Sequence, residues 1–523
     1  MSEVVKLNTQ NTNPSAHDPV FEKYAAKIGA TRALMQEEPL LFEKEQADAP
    51  GVDLPELERK KPRTGLAIRD NIGLPQIKEP EVVRHFVRLS QQNYSIDTGF
   101  FPLGSCTMKH NPRLNEKLAR LKGFAHLHPM QPTATTQGAL GLMYRLQNYL
   151  ADLSGLPAVC LTPAAGAHGE LAGMMTIRRA HEAHGNTHKK LVLVPDSAHG
   201  TNPATAIMCG YQTKTISTKE TGKLTLEAFK EALGDGHDVA AMMVTNPNTC
   251  GLFEPEIDKI VELLHKAGAY FYCDGANFNA LVGKIRPGDF GVDVMHFNLH
   301  KTFSTPHGGG GPGSGPIGVC EALRPYMPVP EVVRDEDDTY RLSMDREDTS
   351  LGRLKGFQGQ FGMHVRALTY MLSHGADGLK QVAEDAVLNA NYILSQLKDD
   401  YHVPFAGPCM HECLLTDKFQ KDAGVTTSDI AKTLIEFGIH PMTVYFPLVL
   451  QGTMLIEPTE TETKESIDRF IAIMKMVAEK VRGGETDIFH DYPLSSPRRR
   501  LDEVTAARHP KLRWSAAKDQ AAE

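Results

Sequence analysis

Lys301 is the residue whose setting best suits a nucleophilic amine. It follows the apolar, strand-like run 292–297 and precedes the glycine-rich loop 308–316. An amine that attacks a carbonyl needs a rigid element to aim it, a partly desolvated pocket that keeps some of it neutral, and pliable backbone that admits a ligand. This order of features predicts that Lys301 bonds covalently to a carbonyl compound. An exposed lysine beside a flexible loop is the alternative interpretation.

Asp274 and Asn246 are polar residues at the ends of two predicted strands. The runs 240–246 and 270–274 are β-prone, and apolar residues at helical spacing separate them, which predicts a strand, helix, strand unit. Because ligands gather at the carboxyl ends of strands in open α/β sheets, both side chains are expected to face one site. An aspartate there could hold the ring nitrogen of pyridoxal phosphate protonated, which makes the ring an electron sink. The alternative is a turn or helix-capping acid.

Two upstream segments supply further groups for a phosphorylated aromatic cofactor. Ala165, Gly166 and Ala167 open a predicted helix whose bare N–H groups and dipole suit a phosphate. His199 follows the next predicted strand, where its ring could stack on the cofactor. A loop histidine bonded to backbone is the alternative. The chain therefore presents, in order, a phosphate site, a stacking ring, a polar amide, an acid for the ring nitrogen and an amine.

Several blocks of the sequence resemble the P-protein family of the glycine cleavage system, whose members are pyridoxal-phosphate enzymes of fold-type I. Some members are one long chain of two homologous halves, and others are split into two subunits. This chain resembles the second, lysine-bearing half alone. The blocks are 102–109 (PLGSCTMK), 164–170 (AAGAHGE), 196–204 (DSAHGTNPA), 245–251 (TNPNTCG), 273–277 (CDGAN), 298–303 (NLHKTF), 308–316 and 445–460 (YFPLVLQGTMLIEPTE).

The resemblance implies a fold and an activity. The fold is the α/β pyridoxal-phosphate-dependent transferase fold, with a large, mostly parallel sheet domain and a smaller C-terminal α+β domain. The activity is that of a glycine dehydrogenase: pyridoxal 5'-phosphate, held covalently on Lys301, promotes decarboxylation of glycine, and the aminomethyl group passes to the oxidised lipoyl arm of H-protein. A companion subunit is implied, with two copies of each chain in the complex.

The resemblance also suggests further roles around the cofactor. Asn246 would bond the ring hydroxyl. His300 resembles the histidine of the His-Lys pair in pyridoxal-dependent decarboxylases, and alternation along a strand would point it away from Lys301, which favours contact with the phosphate. The loop 305–316 is expected to shape the entrance for the lipoyl arm. No role follows from the spacing of residues 105–107.

The composition favours an intracellular enzyme. The chain has 523 residues, enough for several domains, and its net charge of −8 is spread over interspersed acids and bases, so neither a nucleic-acid partner nor an anionic membrane is indicated. The start lacks a secretory or transit signal, which predicts a cytoplasmic bacterial protein or a mature form. No run approaches ~18 apolar residues, so no membrane-spanning helix is expected. Cys409, His411 and Cys413 form an incomplete tetrahedral set, so no metal is expected and the segment is interpreted as a strand.

The domain boundaries are expected to follow changes in composition. Residues 1–90 are expected to form an N-terminal arm and helices, 91–335 the large cofactor-binding α/β domain, 336–483 the small C-terminal α+β domain, and 484–523 a tail. Apolar residues at helical spacing predict helices at 137–154, 254–269, 376–399 and 462–482, and residues 441–456 are interpreted as two strands around a turn.

Three other functions stay open. Another fold-type I enzyme, such as an amino-acid decarboxylase or a cysteine desulfurase, would share the cofactor groups but act on a free substrate. A non-catalytic scaffold subunit is less consistent with Lys301, because a non-catalytic half is expected to lack that amine. A nucleotide-binding module is disfavoured, because a P-loop lysine follows its glycines whereas Lys301 precedes them.

Overall fold

The computed structural model describes residues 38–44, 55, 73–128, 131–308, 313–496 and 498–514. The chain divides into two compact units, one made of Met1–Tyr94 with Pro493–Glu523 and the other of Ser95–Tyr492. Most of the expected N-terminal arm, the end of the expected tail and the middle of the glycine-rich loop lie outside the described residues.

The described residues contain the following strands and helices. The strands are β1 (Ala158–Cys160), β2 (Leu191–Pro195), β3 (Gln212–Ile216), β4 (Val239–Thr245), β5 (Tyr270–Gly275), β6 (Val294–Phe297), β7 (Ile317–Val319), β8 (Glu331–Arg334), β9 (Tyr340–Ser343), β10 (Cys413–Thr416), β11 (Thr443–Val444) and β12 (Thr453–Ile456). The helices are α1 (Glu79–Gln91), α2 (Arg113–Ala119), α3 (Lys122–Ala125), α4 (Gln137–Ser154), α5 (Gly166–Ala183), α6 (Thr201–Met208), α7 (Leu226–Leu233), α8 (Ile257–Lys266), α9 (Leu299–Thr302), α10 (Phe361–Leu397), α11 (Lys418–Lys421), α12 (Thr427–Glu436), α13 (Lys464–Arg482), α14 (Asp487–Asp491) and α15 (Glu503–Arg508).

The first seven strands form one sheet in the order β1-β7-β6-β5-β4-β2-β3. β7 runs antiparallel to both of its neighbours, and the remaining neighbours are parallel. The interior strand β4 (VAAMMVT) is buried along its whole length, as expected of a parallel strand that helices cover on both faces. The predicted α/β fold with a large, mostly parallel sheet is confirmed.

A second, antiparallel sheet has the order β10-β12-β11 and its own hydrophobic core. The long helix α10 contributes to both cores and is interrupted at Gly375, whose φ of 65° and ψ of −175° are not helical. Before the break, Leu368 and Met371 pack into the core of the large sheet. Near its end, Ile393 and Leu397 pack into the core of the small sheet. The helix predicted at 376–399 matches the part after the break.

In the unit made of Met1–Tyr94 and Pro493–Glu523, the Glu38 carboxylate pairs with Arg88 at 3.2 Å and with His85 at 3.0 Å. The Phe42 ring stacks on Trp514 with a centroid distance of 4.8 Å. In the part of the chain that the structure describes, no helix combines the length and the apolar character needed to cross a membrane.

Candidate active site

The carboxyl ends of β4, β5 and β6 place polar residues in one row. Thr245 of β4 pairs in register with Asp274 of β5, which pairs in turn with His296 of β6. Asn246 follows β4 directly, and Lys301 lies on the one-turn helix α9 just after β6. The structure therefore brings Asp274, Asn246 and Lys301 to the same edge of the large sheet.

The buried Asp274 carboxylate is surrounded by nitrogen donors. Its Oδ1 accepts from the Ala276 N–H at 2.9 Å and lies 3.4 Å from Nε2 of His296, and its Oδ2 accepts from Nδ2 of Asn202 at 3.0 Å. Burial by itself would raise the pKa of Asp274, but His296, the Asn202 amide and the Ala276 N–H hold that pKa below its ordinary value. Asp274 is therefore an anion at neutral pH.

A buried tyrosine sets the tautomer of His296. The hydroxyl of Tyr272 lies 2.7 Å from Nδ1 of His296. Burial raises the pKa of Tyr272 and lowers the pKa of His296, so a phenol faces a neutral imidazole. Because Nε2 faces the anionic Asp274, the imidazole proton is best placed there, and Tyr272 then donates to Nδ1. The sequence prediction missed both residues, although Tyr272 and Asp274 share one face of β5 by alternation.

The amine of Lys301 is held by a turn from far earlier in the chain. Its Nζ donates to the carbonyl of Ser105 at 2.8 Å. Ser105 and Thr107 both have positive φ, 60° and 49°. Two fully buried glutamates hold this turn, because Glu412 accepts from the Ser105 N–H at 2.7 Å and Glu457 accepts from the Thr107 N–H at 2.9 Å. The turn at 105–107, for which the sequence indicated no role, therefore accepts a hydrogen bond from the Lys301 amine.

The start of α5 lies against the turn that contains α9. The helix begins at Gly166 without a side-chain cap, and its first internal bond runs from the Gly169 N–H to the Ala165 carbonyl at 2.9 Å. The N–H groups of Gly166 and Ala167 precede that bond, as in any helix start. A Cβ on Gly166 would meet Nδ2 of Asn298 at 2.4 Å. The predicted phosphate-binding residues therefore form a helix start beside Asn298, three residues before Lys301.

His199 and Asn246 follow the strands β2 and β4. The His199 side chain is exposed. Desolvation lowers the pKa of His199 and Asp274 opposes this, and the net effect leaves the imidazole neutral at neutral pH. Oδ1 of Asn246 accepts from the Glu254 N–H at 3.1 Å. The buried Nδ2 of Asn246 has no hydrogen-bond partner among the described residues, so an acceptor such as a ring hydroxyl fits there.

His300 lies on the helical turn α9, so the strand alternation predicted for it is wrong. Its Nδ1 accepts from the Ser314 N–H at 3.4 Å. Burial lowers the pKa of His300 to about 3, and His307 adds to that effect. At Gly313, a Cβ would lie 2.3 Å from Nδ1 of His300. A neutral ring in this position anchors the C-terminal side of the glycine-rich loop.

Two glycines let α5 lie close to the sheet. A Cβ on Gly169 would lie 2.9 Å from Cβ of His296. A Cβ on Gly173 would lie 2.6 Å from the Tyr272 ring and 2.8 Å from Val294. The helix therefore covers the face of the sheet whose side chains support the Asp274 carboxylate.

Gly173→Ala is expected to lower the free energy of unfolding by about 1–3 kcal/mol, because the added methyl overpacks against a Tyr272 ring that its hydrogen bond fixes. Denaturation in urea followed by circular dichroism measures the change. The control is Gly138→Ala in α4, where no atom lies within 4 Å of the new Cβ and alanine is the better helix former. Equal destabilisation in both variants would contradict the close packing of α5.

His411, Glu412 and Glu457 form a group with metal-ligand spacing, since one donor atom of each lies within 4.8 Å of the others. Cys409 and Cys413, the sulfur members of the incomplete set in the sequence, do not belong to this group. Both glutamates already accept N–H bonds from the turn at 105–107, which gives them a structural role. β10 begins only at Cys413, so the strand predicted over 409–413 is wrong for all but its last residue.

Comparisons with known proteins agree with one another. The family model described as "Glycine dehydrogenase, C-terminal domain" matches residues 382–492, and the model described as "Aminotransferase class-V" matches residues 172–310. The "Probable glycine dehydrogenase (decarboxylating) subunit 2" of Caulobacter vibrioides is 57% identical over 510 residues, which are 96% of this chain and 97% of the relative. The protein of the same name from Kosmotoga olearia is 48% identical, over 91% of this chain and 99% of the relative.

Solved structures share the fold. A glycine decarboxylase (P-protein) of the glycine cleavage system, solved in inhibitor-bound form, matches with a TM-score of 0.65 and 20% identity, over 88% of this chain and 99% of that chain. Mouse CSAD matches with a TM-score of 0.61 and 13% identity, over 77% of this chain and 89% of that chain. At these identities the matches show a common fold.

Proposed function

The chain belongs to the family of glycine dehydrogenase (decarboxylating) subunit 2, and from that membership we propose that it removes CO2 from glycine with pyridoxal 5'-phosphate bound covalently to Lys301. The observation that carries the proposal is the position of the Lys301 amine and the anionic Asp274 carboxylate at one edge of the large sheet. An amine for the cofactor carbonyl and an anion for the ring nitrogen are the two groups that this chemistry requires.

The described residues fit this cofactor. When bound, pyridoxal phosphate supplies a ring that takes up the charge left on the α-carbon as CO2 departs. Asp274 would hold the proton on the ring nitrogen, and His199 would cover one ring face. The Nδ2 of Asn246, buried without a described partner, would donate to the ring hydroxyl. The N–H groups at the start of α5, from Ala165 to Ala167, would bind the phosphate, with His300 ordering the loop beside them.

The Ser105 carbonyl can hold the Lys301 amine when that amine is not bonded to the cofactor. A lysine that the amino group of glycine displaces must stay close enough to return. The Ser105 oxygen lies 2.8 Å from Nζ and can accept from the released amine. Glu412 and Glu457 keep this carbonyl in place through the neighbouring N–H groups. Lys301 therefore has a fixed acceptor whenever it is not bonded to the cofactor.

A companion subunit and H-protein would complete the reaction. The relatives are named as subunit 2, which implies a subunit 1, and we propose a complex with two copies of each chain. The aminomethyl group would pass to the oxidised lipoyl arm of H-protein, with the loop 305–316 shaping the entrance. The eight cysteines are free, as suits the reducing cytoplasm in which we place the protein.

The chain mixed with its companion and H-protein is expected to exchange CO2 with the carboxyl group of glycine. The chain alone is expected to be slower by about tenfold or more, because half of the complex is missing. Titrating the purified companion at fixed H-protein measures this dependence. Full activity without the companion would contradict the split-subunit proposal. A rate of CO2 release that is the same with and without H-protein would favour a fold-type I decarboxylase that acts on a free amino acid.

A further inference from the structure

Glu170 is a buried acid beside the active site that the proposed reaction does not use. It lies on α5 and is 3% exposed. The close packing of Gly169 and Gly173 on the sheet brings this face of the helix over β5 and β6. Glu170 therefore lies near Asp274 in the dry interior, where two negative charges would repel each other strongly.

The Asn202 side chain joins the two acids. Its Nδ2 donates to Oε1 of Glu170 in a short hydrogen bond and to Oδ2 of Asp274 at 3.0 Å. Asn202 is fully buried on α6. A primary amide nitrogen carries two hydrogens, so one can serve each acid. The geometry makes Asn202 a bridge whose orientation depends on both of its acceptors.

We propose that Glu170 is a positioning residue that works in its protonated form: its neutral carboxyl holds the Asn202 amide, and the amide holds the Asp274 carboxylate in place for the cofactor ring. This inference rests on the proposed function, because it assigns the ring nitrogen to Asp274. At neutral pH the two acids together carry one proton and one negative charge. Asp274 keeps the charge and Glu170 keeps the proton.

The electrostatics support this division. Burial raises the pKa of Glu170 to about 8, and the negative charge of Asp274 adds to that effect. Thr201, Asn202 and Lys301 act in the opposite direction. Tyr272 also faces Glu170 and stays protonated, since burial raises its pKa too. The pKa of Asp274, in contrast, is lowered. The second negative charge therefore forms only in mild alkali, near pH 8.

The first test uses the full chain without cofactor. The folded pKa of Glu170 lies above its ordinary value of 4.5, so between those two values the folded chain binds more protons than the unfolded chain. The contribution of Glu170 to stability must therefore fall as pH rises through this window and level off above about pH 8. E170Q removes this contribution. We expect the difference in Tm, E170Q minus wild type, to grow from acid pH to about pH 8 and then to stay constant.

The second test measures pyridoxal phosphate affinity by absorbance titration across the same pH range. Wild type is expected to bind on the order of tenfold more weakly above the Glu170 transition, because the new charge disturbs Asp274. E170Q should keep its affinity across that range, and E170A should bind weakly throughout. E182Q, a change in an exposed acid on the same helix, is the control and should follow wild type.

Two results would overturn the proposal. One is a difference in Tm between E170Q and wild type that does not vary with pH, since Glu170 would then be ionised in the folded chain. The other is an E170Q variant that binds pyridoxal phosphate as weakly as E170A, since the neutral form would then not suffice. If neither wild type nor any variant binds pyridoxal phosphate, the proposed function is refuted instead. The Tm series would still show whether Glu170 is protonated in the folded chain.

Discussion

Lys301→Ala should leave a folded chain whose glycine-dependent CO2 exchange has fallen on the order of 10⁴-fold or more, because the covalent step disappears with the amine. The lysine is only partly buried and its Nζ donates to the Ser105 carbonyl, so truncation removes little packing. Exchange assays with the companion subunit and H-protein measure the loss. Circular dichroism verifies that the fold is retained.

Borohydride reduction followed by peptide mapping identifies the amine that carries the cofactor. In wild type the label is expected on Lys301, and in Lys301→Ala it should be absent. Lys284→Ala is the matched control, because this lysine pairs with Glu384 at 2.6 Å on the surface. Label on Lys284 or Lys355 in the wild-type chain would place the covalent bond elsewhere.

Asp274→Asn should lower the rate on the order of 10²- to 10³-fold, about 3–4 kcal/mol, with the cofactor still bound. Asparagine keeps the size of the side chain but cannot stabilise a proton on the ring nitrogen as an anion does. Because the pKa of Asp274 lies below its ordinary value, the wild-type carboxylate is ionised at neutral pH. Steady-state rates and the absorption spectrum of the bound cofactor measure the effect.

Asp289→Asn is the control for that substitution, because its side chain is 65% exposed and lies outside the row of strand ends. It should behave as wild type in both the rate and the spectrum. Near-normal turnover in Asp274→Asn would mean that this acid only shapes the turn after β5.

Local sequence patterns predicted the elements that depend on local contacts. The helix predicted at 137–154 has the bounds of α4, whose apolar residues recur at helical spacing and which ends at Gly155 in the left-handed conformation. The helix predicted at 254–269 is shorter, since α8 begins at Ile257. Before that start, the Glu254 carboxylate accepts from the Leu224 N–H at 2.7 Å, a long-range contact that no local pattern reveals.

The same distinction applies to the site. Lys301, Asp274 and Asn246 could be placed from the sequence because each follows or ends a strand whose type was readable. The turn that accepts a hydrogen bond from Lys301 could not be predicted, because Ser105 and the Glu412 that holds it are 307 positions apart in the sequence. Glu170 had a weak signal, since glycines at 166, 169 and 173 mark one helix face pressed against a sheet.

Ser105 offers Lys301 a main-chain oxygen, and a main-chain atom cannot be deleted by changing its side chain. Replacing Ser105 with alanine leaves that oxygen in the chain, provided that the alanine adopts the positive φ of this position. Missense changes that reach Lys301 by this route lie instead at Glu412 and Glu457, which are 307 and 350 positions beyond the residues they hold. A genetic screen for lost glycine breakdown would therefore detect this turn through variants in the residues that flank β10 and β12 of the small sheet.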